Sequence, residues 1–148
     1  MTLEFTRNLG PLTTLAADGI PQLELTAVQR FEKRQVAILP DGCPAVLDVT
    51  HTRTVMLGDV LSAEDGTWVR VGPAPEEVIE ARAASWLTVC RMLHQIGRRR
   101  ALVELGDLTL SFKPDHDVER LASDLGMTLT KSVRNFDPEP WVFGREPA

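Results

Sequence analysis

The chain has 148 residues, 43% hydrophobic and 25% charged, with a formal net charge of −5. That length fits one ordinary domain or two small ones with a real core. The acidic balance counts against non-specific binding to nucleic acid, which rests on phosphate neutralisation by Lys and Arg, and no apolar run approaches the roughly 18 residues of a membrane span.

The first half reads as strands and turns. "TLEFTRN" alternates apolar and polar residues, the period of a half-buried strand. "LELTAVQRF" and "RQVAIL" follow as further strands, and Pro40-Asp41-Gly42 supplies a turn. "AVLDVT", "TVMLGDVL" and "TWVRVG" continue the pattern, separated by Gly58-Asp59 and by Glu64-Asp65-Gly66. Short strands with turn chemistry between them predict a small β-sandwich or barrel, without a helix of any length before Pro75. "GPLTTLAADGIPQ" within this half is read as a loop.

"GPAPEE", Gly72 to Glu77, is a Pro/Gly-rich junction and the predicted boundary between a domain over 1–74 and one over 75–148. "EVIEARA" then reads as a strand. Ser85 is the expected N-cap of a helix running to about Ile96, with Gly97 as its left-handed stop and Trp86, Cys90, Leu93 and Ile96 as its core stripe. "ALVEL" and "LTLSF" flank a hairpin turn at Gly106-Asp107. Asp115 caps a second helix with the stripe Val118, Leu121, Ala122 and Leu125, ended by Gly126, and "MTLTKSV" is the last strand. The order β-α-β-β-α-β is the ferredoxin-like pattern, and the whole chain is accordingly α+β.

Signatures of enzymes are sparse. No glycine spacing matches a phosphate-binding loop and no Gly-x-Ser-x-Gly elbow is present, so an enzyme is not expected. Asp41-Gly42 and Asp65-Gly66 are turn chemistry before they are catalytic carboxylates. The three histidines, His51, His94 and His116, have neither Cys-x-x-Cys nor His-x-x-x-His spacing around them. His51 is expected in an exposed loop, His94 on a helix flank, and His116 at a helix start between Asp115 and Asp117, where carboxylates and imidazole together offer donors to a divalent ion. Cys90, placed on the core stripe, is expected to be buried and inert. The start "MTLEFTRNLGPL" lacks the regions of a secretory signal, and two cysteines cannot make a disulfide framework, so reduced thiols in a cytoplasmic protein are expected. Arg98, Arg99 and Arg100 crowd the end of the first long helix. Cations there oppose the negative end of the helix dipole, at about 0.3–1 kcal/mol each, which accounts for one or two of the three.

"LTAVQRFEKRQVAILPDG", "VMLGDVLSAEDGTWVRVGPAPEEVIEARA", "HQIGRRRALVEL", "FKPDHDVERLASDLGMTLT" and "NFDPEPWVFG", in this order, resemble the UreE family of urease accessory metallochaperones, which carry nickel to apo-urease. The resemblance implies an N-terminal β domain that engages protein partners, of urease or another metalloenzyme's maturation complex. It also implies a ferredoxin-like C-terminal domain that forms a homodimer and binds metal. Family members share one divalent ion between paired histidines from a Gly-Asn-Arg-His motif, which reads Gly97-Arg98-Arg99-Arg100 here. Arg100 therefore occupies the family's ligand position, and the His-rich tail of the family is replaced by "FGREPA".

Guanidinium has no available lone pair, whereas neutral imidazole is a good ligand for Ni²⁺. Two Arg100 side chains meeting at about 4 Å across a two-fold axis would repel by about 4 kcal/mol at an effective dielectric of 20. Arg100 must then turn to solvent, pair with a carboxylate or bind an anion, or the dimer must differ. The expected metal residues are His116, where some members carry an auxiliary ligand, and His94 on the motif helix. The alternative is a metal-free relative that keeps the fold as a protein-binding scaffold.

Overall fold

The computed structural model describes residues 2–13 and 18–140. The closing "FGREPA" and part of "GPLTTLAADGIPQ" lie outside them. Two compact units divide between Ala74 and Pro75.

The first unit contains β1 (Leu3–Pro11), β2 (Gln22–Leu25), α1 (Ala27–Phe31), β3 (Arg34–Ile38), β4 (Pro44–Asp48), β5 (Asp59–Ala63) and β6 (Trp68–Pro73). The strands form one sheet in the order β2-β6-β5-β1-β4-β3, in which β1/β4 and β2/β6 are parallel pairs. Apolar residues of all six strands, including Leu23 of β2 and Ala37 of β3 at opposite edges, share one buried cluster. Edge strands reach a common core only if the sheet curls, so this is a near-barrel sheet.

The expectation of no helix here is corrected by α1. Thr26 and Gln29 form a reciprocal capping box: Thr26 Oγ1 accepts from the Gln29 amide at 3.3 Å, and Gln29 Oε1 accepts from the Thr26 amide at 2.9 Å. Two otherwise orphaned amides are thereby satisfied, which ends β2 at Leu25 and turns the second half of "LELTAVQRF" into helix. The Asp turns behave as read. Asp41 Oδ1 accepts from the Cys43 amide and Asp65 Oδ1 from the Thr67 amide, each at 2.9 Å.

The second unit contains β7 (Glu76–Arg82), α2 (Trp86–Gly97), β8 (Glu104–Gly106), β9 (Thr109–Phe112), α3 (His116–Asp124) and β10 (Thr128–Arg134). Its antiparallel sheet has the order β10-β7-β9-β8, which with the β-α-β-β-α-β sequence is the ferredoxin-like arrangement. Ile79 and Ala81 of β7, Leu110 and Phe112 of β9, Val89, Met92 and Ile96 of α2, and Val118 and Ala122 of α3 share the core. Both helices thus cover the same sheet face. The hairpin turn falls one residue later than expected, at Asp107-Leu108, because Gly106 still pairs with Thr109.

Helix ends follow local chemistry. Ser85 caps α2 by accepting from the Thr88 amide, and Asp115 caps α3 by accepting from the Asp117 and Val118 amides. After α3, Gly126 is left-handed at φ 76, with its amide bonded to the Ser123 carbonyl and that of Met127 to the Ala122 carbonyl. This is a Schellman stop.

Candidate metal centre

The face of α2 differs from its sequence reading. Val89, Met92 and Ile96 are buried, Leu93 is half-buried, and Trp86 and Cys90 are exposed. Trp86-Cys90-Leu93 and Val89-Met92-Ile96 are both apolar sets at helical spacing. The sheet covers the second. Cys90 is consequently an accessible thiol, not a buried inert one, and it stands one turn before the exposed His94.

The end of α2 is corrected as well. Gly97 belongs to the helix, and the cap residue Arg98 keeps right-handed geometry with φ −71 and ψ −20. The Arg99 amide bonds the Ile96 carbonyl at 2.8 Å, and the chain reverses at Arg100, whose φ is 53. A residue with a side chain therefore takes the left-handed role expected of Gly97. Arg98, Arg99 and Arg100 are all exposed. Of the outcomes open to Arg100, exposure to solvent is the one observed.

Arg99 of this turn reaches α3. Its Nη1 lies 3.4 Å from Asp117 Oδ2, and the other Asp117 oxygen lies 3.8 Å from His116 Nδ1. One carboxylate thus faces both a guanidinium from the motif turn and the imidazole of His116, which is 89% exposed. The neighbouring acids have other tasks. Asp115 Oδ1 accepts two backbone amides, and Glu119 Oε2 accepts from the Asp115 amide at 3.1 Å.

Asp117 and Glu119 in the first turn also suit the positive end of the α3 dipole, which disfavours a bare cation there. His116 and Asp117 offer one nitrogen and one oxygen donor. A divalent ion seated on them competes with Arg99 for the carboxylate. Among the described residues, no three His, Cys, Asp or Glu side chains stand together as a set of metal donors. His94 lines a shallow depression with Cys90, Arg91, Gln95, Leu121 and Leu125, and His116 does not line it.

A polar centre in the first unit was not foreseen. Asp59 is 1% exposed, accepts from Asn8 Nδ2 and from the Met56 amide at 2.9 Å each, and pairs with Arg53. Sequence pattern placed Asp59 only in a turn, and nothing local signals that Asn8, 51 residues away, closes the network. His51 is exposed, as expected of a loop histidine.

Comparison with known proteins supplies the context for these geometries. Residues 76–146 match the family model described as the UreE urease accessory protein, C-terminal domain. The "Urease accessory protein UreE" of Burkholderia lata is 32% identical over 141 residues, covering 93% of this chain and 68% of that protein. Its counterpart in Burkholderia orbicola is likewise 32% identical, over 93% of this chain and 69% of that one. That of Psychromonas ingrahamii is 28% identical over 115 residues, 78% of this chain and 76% of that protein. With an N-terminal near-barrel sheet, a ferredoxin-like second unit and similarity running through both, the chain belongs to the UreE family of urease accessory proteins.

Proposed function

We propose that the chain is a cytoplasmic, non-enzymatic urease accessory protein that handles nickel as cargo, through donors displaced from the motif position to His116 and His94. The observation that carries this reading is the exposed His116 imidazole with the Asp117 carboxylate beside it, 3.8 Å away, at the start of the helix next to the motif turn. The donor set is an exposed imidazole and a carboxylate, chemistry that suits a borderline divalent ion held for release more than one locked into a closed site.

A homodimer through the second unit belongs to the same reading. Its support is the apolar surface at the start of α2, where Trp86 is 56% and Leu87 59% exposed. Self-association by this face leaves the arginine turn free to point to solvent, so it avoids the repulsion of two apposed Arg100 side chains. The first unit is then left to engage protein partners of the maturation complex.

Producing the full chain with urease and its remaining maturation proteins, in cells lacking their own UreE, tests the role. Urease activity under nickel limitation is expected to rise in proportion to the amount of this chain, and an activity equal to the empty control overturns it. A second reading, a scaffold that carries no metal, is favoured by one observation: Asp117 already has a cationic partner in Arg99. Calorimetric titration of Ni²⁺ into the full chain and into His116→Ala separates the two. Restored urease activity without measurable Ni²⁺ binding is the outcome that selects the scaffold.

A further inference from the structure

Cys90 and His94 are four residues apart on α2, both exposed, and line the same depression. Side chains at this spacing rise from one helix face with Cβ atoms about 5–6 Å apart. The same i, i+4 geometry lets two histidines of a helix grip one zinc ion. Here the donors are a sulfur and an imidazole nitrogen. Thiolate and imidazole select Zn²⁺, Ni²⁺, Co²⁺ or Cu⁺ over Mg²⁺ and Ca²⁺.

We propose that Cys90 and His94 form a two-ligand binding site for a thiophilic transition-metal cation. Binding replaces the thiol proton: the Sγ–H bond breaks, an Sγ–metal bond forms, and the proton passes to solvent, so uptake strengthens with pH. His94 contributes a neutral ring nitrogen. The helix backbone fixes the separation of the two Cβ atoms, and the side-chain rotamers bring the donors to the ion. Structural sites close four protein ligands around zinc; a pair leaves positions for water or for a ligand from the receiving protein, which permits handover. Leu121 and Leu125 of α3 form the apolar side of the depression. The inference deepens the proposed function by giving His94 a partner, and it rests on that reading only for the identity of the cargo.

Cys43 is an internal control. It is the other exposed thiol, it sits in a hairpin turn after Asp41-Gly42, and no histidine follows it at helical spacing. The test is an anaerobic Co²⁺ titration of the full chain, in a non-thiol reductant, followed by competition with Ni²⁺. The expected result is a near-ultraviolet thiolate-to-cobalt charge-transfer band that is lost in Cys90→Ser and kept in Cys43→Ser.

Loss of an outer partner of a ligand already costs about 10–100-fold in metal affinity, so His94→Ala is expected to weaken Co²⁺ at least tenfold. Both side chains are exposed, and unchanged circular dichroism and melting of the variants confirm that the fold is not what changed. A band that survives Cys90→Ser, an affinity untouched by His94→Ala, or no band at all overturns the site. Failure to support urease with the Cys90-dependent band intact overturns the proposed role and leaves this site standing.

Discussion

Replacing Arg100 by glycine is expected to stabilise the second unit, against the usual direction of glycine substitutions. Arg100 holds φ 53 at the reversal after α2. For a residue with a Cβ, that conformation costs about 1–2 kcal/mol. Glycine removes the clash but enlarges the entropy of the unfolded chain, at about 0.4–1 kcal/mol. The difference is a net gain of roughly 0.5–1 kcal/mol. In a unit of this size, melting independently, that moves Tm upward by about 2–8 °C. Arg100→Ala separates backbone from charge, because alanine keeps the Cβ and removes the guanidinium; it should leave Tm near that of the parent chain. Arg98→Gly supplies the opposite sign, since Arg98 is right-handed and glycine there brings only the entropic cost of about 0.4–1 kcal/mol. Scanning calorimetry or thermal circular dichroism of the three variants reads the pattern. An Arg100→Gly melting no higher than Arg100→Ala would refute the argument from backbone strain.

Removing the buried carboxylate of the first unit, Asp59→Ala, strands Arg53 and two further donors, Asn8 and the Met56 amide. Since Arg53 keeps about a third of its surface in water, the expected loss is roughly 2–3 kcal/mol, below the 3–5 of a fully buried broken pair, and urea unfolding measures it. Gly126→Ala forces a side chain into the left-handed stop of α3 and, net of the smaller entropy of its unfolded chain, should cost about 0.5–1 kcal/mol by the same measurement. Asp117→Asn breaks an ion pair whose partners are 48% and 70% exposed. It should change stability by no more than about 1 kcal/mol, with the difference fading in high salt. Hydrogen bonds from the Thr50 side chain and backbone, then the nearby Arg34 and His51, hold the Asp48 carboxyl below its ordinary value against the opposing effect of burial. A carboxyl lowered in the folded state stabilises above the unfolded pKa of about 3.9 and loses that contribution as pH falls through the folded value. The Tm gap between the parent chain and Asp48→Asn should therefore be full at neutral pH and shrink below about pH 4, and a gap independent of pH contradicts it.

The second unit was legible because its signals are local. Ser85, Asp115 and Gly126 each act on backbone groups within a few residues, so the start of α2 and both ends of α3 follow from short stretches of sequence, whereas the end of α2 does not. The first unit was less legible for the converse reason. Parallel pairing of β1 with β4 and β2 with β6 joins segments more than 40 residues apart, and no turn residue announces it. Alternation marks which residues lie inward, which is why Phe5, Leu47 and Val69 are in the core, but it leaves the order of strands open. The α1 signal was present in Thr26-Ala27-Val28-Gln29 and was outweighed by the apolar alternation before it.

On α2, apolar residues occupy two adjoining arcs, and periodicity has no means of saying which arc meets the sheet. Choosing the wrong one is what hid the Cys90 and His94 pair. The Arg99 and Asp117 contact depends on the packing of two helices and has no trace in either local segment.

The left-handed backbone at residue 100 bears on how the motif position changed. Asn, Asp and His are several-fold enriched among residues with positive φ, and the resembled motif puts histidine there. A left-handed backbone at this position suits histidine, whereas the guanidinium present here repels a cation. At about 4 Å, a guanidinium opposes a divalent ion by about 2 kcal/mol even at the dielectric of water, and by more where water is excluded. Three such cations at Arg98, Arg99 and Arg100 oppose a metal ion at the end of α2, whereas an ion on Cys90 and His94, one turn of helix apart, faces the Arg91 guanidinium. Since the backbone needs no change, Arg100→His should add a donor without unfolding the turn. The same variant also removes one of the three repelling charges.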